Sequence, residues 1–153
     1  MDIVIRRANN NDIKTLNIFL TCLIRDEKKY DSNINDNIIV NYYYETIIDK
    51  ENNYLLVAEV NNNIVGYLYG YIENNGDVCI KKVSVIDALF VMEEYRSNGI
   101  ANRLIDEFKK ISKDNDVRYI EIKACNGNEK AISLYNRCGF KDIKRIMQVD
   151  LNE

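Results

Sequence analysis

An α/β fold is predicted, a central mixed sheet with helices on both faces, and three observations predict it. Apolar residues recur at helical spacing near the start, at alternate positions through the middle, and at helical spacing again after Val91. Asparagine-rich tight turns join the middle strands, which makes those strands antiparallel. Helix and strand then alternate to the end, giving the order βααβββαβαβ. At 153 residues the chain has the length of one domain, 1–153, and hides roughly 70% of its unfolded surface. No linker-like stretch and no internal repeat divides it.

The elements follow in order. Asp2 to Arg7 alternates, with Ile3 and Ile5 on one face of a first strand. Asn10 or Asn11 is placed to cap a helix, with Asp12 in its first turn. Ile13, Leu16, Phe19, Leu20, Leu23 and Ile24 form its apolar stripe. A second helix is expected from Asp36 to Ile48, with Ile39, Tyr43 and Ile47 on one side. Tyr54–Val60 and Ile64–Glu73 read as strands around the turn Asn61-Asn62-Asn63. Asn74-Asn75-Gly76-Asp77 makes the next turn, before a long strand from about Val78 to Val91. Leu104, Ile105, Phe108 and Ile111 then face a core, and Arg103, Asp106, Glu107 and Lys110 face water. Arg118–Cys125 is a strand, and Glu129–Arg137 is a short helix stopped by Gly139. Lys144–Leu151 is a final strand.

Composition narrows the chemistry. Hydrophobic residues are 46% and charged residues 29%, an ordinary globular mixture. No apolar run of ~18 residues is present, and the N-terminus has no signal-peptide pattern; the expected location is cytoplasmic. A net charge of −3 argues against a general nucleic-acid binder. It suits a small cationic substrate, and equally plain solubility. Histidine is absent, and Cys22, Cys79, Cys125 and Cys138 form no C-x-x-C pair, so no metal site is expected. The cysteines read as reduced, mostly buried thiols. Without histidine, Ser-His and Cys-His nucleophiles are excluded. Acid–base work falls to carboxylates, tyrosine, lysine, cysteine or water. The run Tyr42-Tyr43-Tyr44 offers apolar ring faces for a homodimer interface, or packs internally.

Two segments carry candidate chemistry. Leu89-Phe90-Val91 leads through a loop, Arg96-Ser97-Asn98-Gly99-Ile100-Ala101-Asn102, into a helix. A helix start presents unpaired N–H groups and partial positive charge. Gly99 has no side chain to hinder a ligand at the backbone, Ala101 is small, and Arg96 and Arg103 add charge. This makes a pyrophosphate cradle, or simply a tight turn. Downstream, Asn128, Ala131 and Tyr135 share one helix face. That face mixes an amide, a small residue and a phenol, although Tyr135 also fits a core tyrosine with a satisfied hydroxyl.

The pair Arg96-x-x-Gly99-x-Ala101 and Asn128-x-x-Ala131-x-x-Leu134-Tyr135-x-x-Cys138-Gly139-Phe140 resembles the two cofactor motifs of the Gcn5-related N-acetyltransferase (GNAT) family. The resemblance is sharp from about Ile86 to Phe140 and architectural elsewhere. The chain departs from the family's pattern at Ala101, often glycine, and at Met92-Glu93, where proline is common. The resemblance implies acetyl-CoA as co-substrate and a splayed strand at Leu89, Phe90 and Val91 whose backbone holds the pantetheine arm. It implies that backbone N–H groups from Ser97 to Asn102 bind the pyrophosphate and that Asn128 bonds the pantetheine. It implies Tyr135 near the sulfur, assisting thiolate departure, and a small-molecule or peptide amine as acceptor. The alternative is a non-catalytic acyl-CoA-binding sensor or scaffold domain of the same fold; a plain interaction module would bind no CoA. For the base that takes the amine's proton, Asp87 is the first candidate, sharing a strand face with Leu89 and Val91. Glu121 on the next strand is the second and Glu59 the third. Cys125 or Cys79 as acyl carriers lack any group that would lower a thiol pKa.

Overall fold

The computed structural model describes residues 1–153. Its centre is one five-stranded sheet in the order β1-β2-β3-β4-β5. These are β1 (Ile3–Arg7), β2 (Asn53–Val60), β3 (Asn63–Ile72), β4 (Val83–Val91) and β5 (Tyr119–Ile122). The first four run antiparallel, and β5 lies parallel to β4. The β2–β3 turn works because Asn61 (φ 51°) and Asn62 (φ 63°) both adopt left-handed conformations. A tight hairpin demands that geometry, and asparagine tolerates it.

Alternation splits the sheet's side chains between two helical layers. Leu55, Val57, Tyr67, Tyr69, Ala88 and Phe90 pack against α1 (Ile13–Glu27) through Ile13, Leu16 and Phe19. Leu56, Ala58, Leu68, Ile86 and Val91 pack against α2 (Ile100–Asp114) through Ile100, Leu104, Ile105 and Phe108. Each of those large α2 side chains is worth about 1.5–3 kcal/mol on burial. The Phe108 ring lies against the backbone of Gly70, where a Cβ would overlap it. The short helix α3 (Glu129–Arg137) sits on the same side, with Tyr135 and Cys138 packed on that core.

A polar clasp closes the β1–α1 corner. Arg6 donates to Asp12 (2.7 Å) and to Glu59 (2.6 Å), and the Asn9 N–H donates to Asp12 Oδ2 (2.8 Å). The Arg6 hydrogen bond is the main cause that lowers the Asp12 pKa below the ordinary carboxylate range, against desolvation that raises it. Glu59 is thereby engaged by Arg6 in this clasp. Asp12→Ala is expected to cost about 2 kcal/mol, from the lost cap and the lost charged bond. Because the folded pKa is depressed, this stability is present above the unfolded value and lost as pH falls through the folded one. The gap between wild type and Asp12→Ala in denaturant unfolding should therefore close in acid.

Several expected elements differ. Asp36–Ile48 forms no helix beyond a single 3-10 turn at Tyr44–Thr46. Asx turns take its place: Asp31 Oδ1 accepts from the Asn33 N–H and Asn35 Oδ1 from the Asn37 N–H. The Val40 N–H is bound by Thr21 Oγ1. β4 begins at Val83, not Val78, and β5 is limited to Tyr119–Ile122. The expected strand Lys144–Leu151 joins no ladder; it has no regular secondary structure, ends in a turn at Leu151, and its residues are exposed. Of the tyrosine run, Tyr44 is fully buried and bonds Tyr67 at 2.9 Å, so it lies at no surface. The cysteines are free thiols, but Cys22 and Cys79 are exposed. No helix is long and apolar enough to cross a membrane.

Candidate active site

The site begins with an extra residue in β4. Tyr69 is opposite Ala88 and Gly70 is opposite Ile86, so Asp87 has no partner on β3. One inserted residue reverses the side-chain phase beyond it. Val85 and Asp87 lie toward the α1 layer, while Leu89 and Val91 pack on the α2 side. The expectation that Asp87 shares a face with Leu89 and Val91 is corrected by this bulge.

β4 and β5 part immediately afterwards. Their ladder ends at Ile86 opposite Ile122, so the last turn of β4 has an open edge. Met92 donates to the Val65 carbonyl at 2.8 Å. By the alternation of an antiparallel ladder, Phe90 also directs its backbone to β3, and Leu89 and Val91 direct theirs into the gap. The Val91 carbonyl is already taken by Arg96 Nε at 2.8 Å. Phe90 therefore contributes its ring to the α1 core, not its backbone to the cleft.

The loop into α2 offers a run of donors. Ser97 (φ 63°) and Gly99 (φ 78°) are left-handed. The backbone N–H groups from Ser97 through Asn102 have no acceptor in the protein. Space is open where a Gly99 side chain would stand. Ile100 is buried, so it offers backbone only. The Arg96 guanidinium is turned away from this cradle, onto Val91 and 3.8 Å from Asp26; it braces the loop. Asn128 Oδ1 caps α3 by accepting from the Ala131 N–H at 3.2 Å, which leaves its amide N–H groups unpaired.

Tyr135 is half-buried, edge-on to Phe140, and its hydroxyl has no hydrogen-bond partner in the protein. Burial first, then the charge of Glu27, pushes its pKa up to about 12. Glu27 is a residue the sequence reading missed. Its own pKa is raised by burial, then by Asp31 and Asp87. The signal was present, since Glu27 continues the α1 stripe Leu16, Leu20, Leu23 at spacings of three and four. Asp87 is exposed, yet its neighbours strip part of its hydration. That raises its pKa, and Lys123 opposes the shift. Tyr43, Tyr69 and Tyr71 feel the Asp87 charge. Glu121 is opposite Val85 on the Asp87 face, with its carboxylate 3.7 Å from Lys144. The Cys125 thiol is pushed up by burial and by Glu27 and Asp31, the reverse of what an acyl carrier needs.

A family model described as the acetyltransferase (GNAT) family matches residues 17–140. The chain belongs to that family. It is an N-acetyltransferase that depends on acetyl-CoA. An N-alpha-acetyltransferase of Sulfurisphaera tokodaii is 31% identical to it over 116 residues, 68% of each chain. An uncharacterized N-acetyltransferase, YhfO, of Bacillus subtilis is 25% identical over 105 residues, 69% of this chain and 70% of that one. Among solved structures, a tetramutant of the BH1408 protein from Bacillus halodurans superposes with a TM-score of 0.88 at 21% identity, covering 97% of this chain and 99% of that one. The aminoglycoside acetyltransferase AAC(6')-Iy, in complex with a bisubstrate analog of CoA, gives a TM-score of 0.75 at 16% identity, covering 98% of each chain. These likenesses at low identity bear on the fold: this GNAT chain shares the mixed sheet and its helical layers.

Proposed function

We propose that this chain transfers the acetyl group of acetyl-CoA to a primary amine of a small molecule or peptide by direct attack, with no acyl-enzyme. The observation that carries this reading is the parting of β4 from β5 after Ile86, which leaves the Leu89 backbone and the Val91 N–H facing the gap, on the side of the sheet where Tyr135 packs. The residues fit the co-substrate: the free N–H groups of Ser97 to Asn102 suit a pyrophosphate, and Leu89 with the Asn128 amide suits a pantetheine arm. Acetyl-CoA supplies an activated thioester carbonyl. The Val91 N–H is available to hold the charge that grows on that oxygen. On the other face of β4, Asp87 takes the proton of the arriving ammonium, and its raised pKa brings it closer to the working pH. Tyr135 donates a hydrogen bond to the departing sulfur. A phenol near 12 holds its proton against a thiolate whose ordinary value is ~8.5, so it assists by bonding and not by full transfer at equilibrium. Glu27 and Asp31 add negative charge beside the acceptor side, which favours a cationic substrate.

Release of free CoA thiol, followed over a panel of amines, tests the reading; no turnover with any amine by a chain that binds acetyl-CoA would leave only a binding domain. Gly99→Val probes the cradle. It should weaken acetyl-CoA binding at least tenfold, about 1.4 kcal/mol, because the side chain fills the open space over the donors. The left-handed φ adds strain, so melting temperature is measured alongside titration calorimetry. A folded Gly99→Val protein with wild-type affinity would move the cofactor elsewhere.

A further inference from the structure

Lys123 stands at the fork of β4 and β5. The ladder between them pairs Val85 with Glu121 and Ile86 with Ile122, and it stops there. The next step would set Lys123 beside Asp87, where the two strands part. Alternation along β5 puts Lys123 on the same face as Glu121, which is the Asp87 face. Lys123 is exposed, and its ammonium enters none of the ion pairs in the structure. Glu121, two residues before it on that face, is already engaged by Lys144 at 3.7 Å.

The groups that face Asp87 give this placement its meaning. α1 brings Glu27, the turn at Tyr44–Thr46 brings Tyr43 and Tyr44, and β3 brings Tyr67, Tyr69 and Tyr71. The Tyr69 ring centre lies 6.5 Å from that of Tyr43 and 6.0 Å from that of Tyr71, so the rings form a continuous aromatic wall. Phenols and one carboxylate offer Asp87 no positive charge, and loss of hydration favours its protonated form. Lys123 is the cation that acts against this. A base must be free of its proton when the acceptor arrives. A lysine suits the place, because its compact charge rides on a flexible stem. It can face the carboxylate across the fork and still swing aside for the acceptor. We propose that Lys123 is the counter-ion of Asp87, a positioning residue that keeps the base ionised for the incoming ammonium. This role rests on the reading of Asp87 as the base.

The Asp87 proton can be followed in two ways. One is the acid limb of kcat/KM for an amine that turns over. The other is a carboxyl-carbon NMR titration of the full chain, with the Asp87 signal identified by its absence in Asp87→Asn; it needs no turnover. In Lys123→Met both midpoints should move to higher pH by about half a unit or more, because the charge that favours the carboxylate is gone. Lys123→Arg should restore them. Lys113→Met removes the same charge from the last turn of α2, on the other face of the sheet, and should leave both midpoints in place. Midpoints that stay put in Lys123→Met overturn the proposal. An equal shift in Lys113→Met overturns it too, since net charge would then be the cause. If the NMR midpoint moves in Lys123→Met but the acid limb survives in Asp87→Asn, the ion pair exists and Asp87 is not the base. The failure then lies in that reading, and the positioning role falls with it.

Discussion

Tyr135→Phe is expected to lower turnover on the order of 10–1000-fold while leaving the fold and the affinity for acetyl-CoA nearly unchanged. The structure sharpens the reason. The ring packs edge-on to Phe140 and stays in place in the variant. The hydroxyl bonds nothing in the protein, so its removal orphans no partner and costs little stability. A core tyrosine with a satisfied hydroxyl would show the opposite, a loss of roughly 1 kcal/mol and an unchanged rate. General acid–base assistance is typically worth 10²–10⁴, and water substitutes for part of it. Melting temperature, acetyl-CoA affinity and single-turnover rate on the one variant separate these cases. A wild-type single-turnover rate would assign the acid to another group.

Asp87→Asn should cost about 100-fold or more in kcat/KM near neutral pH, and it should do so without destabilising the protein. The pKa of Asp87 is raised, chiefly by desolvation. In wild type, kcat/KM should therefore fall as pH drops through that raised value and the base becomes protonated. Asparagine cannot titrate, so this limb should vanish. Stability follows with the opposite sign. A carboxylate whose folded pKa lies above its unfolded pKa holds its proton longer in the native state, so native stability falls as pH rises through that window. Above it, removing the charge is neutral or stabilising. A variant that loses activity and keeps or gains melting temperature meets the expectation. Full activity with the acid limb intact would pass the proton to Glu27 or to water.

The helices and hairpins with strong local signals were legible in the sequence. α2 shows its stripe of Leu104, Ile105, Phe108 and Ile111, and α3 ends at Gly139, whose φ is 95°. The Asn61-Asn62 turn announces itself through two residues that tolerate left-handed backbone. Asp36–Ile48 was misread because the Val40 N–H, which a helix would pair with the Asp36 carbonyl, is bound instead by Thr21 Oγ1 of α1. Periodicity cannot register that competition. Lys144–Leu151 was read as a strand, and a local pattern says nothing about where a partner edge lies. In the site, the donors from Ser97 to Asn102 and the position of Tyr135 follow from a glycine, a helix start and helical spacing. Glu27 was missed because it sits far along the chain from the motifs and meets Asp87 and Tyr135 only through the packing of α1 on the sheet.

The unmatched residue in β4 has a consequence for chain length. Ile86 before it and Leu89 and Val91 after it serve the α2 side, and Ala88 and Phe90 serve the α1 side. A substitution at Asp87 removes the carboxylate and keeps the bulge. Deleting the residue would set Ile86 next to Ala88, restore plain alternation opposite Gly70 and Tyr69, and leave every other side chain on its present face. The shortened strand should therefore still fold, and would lose its only carboxylate together with the local bend at the point where β4 and β5 part.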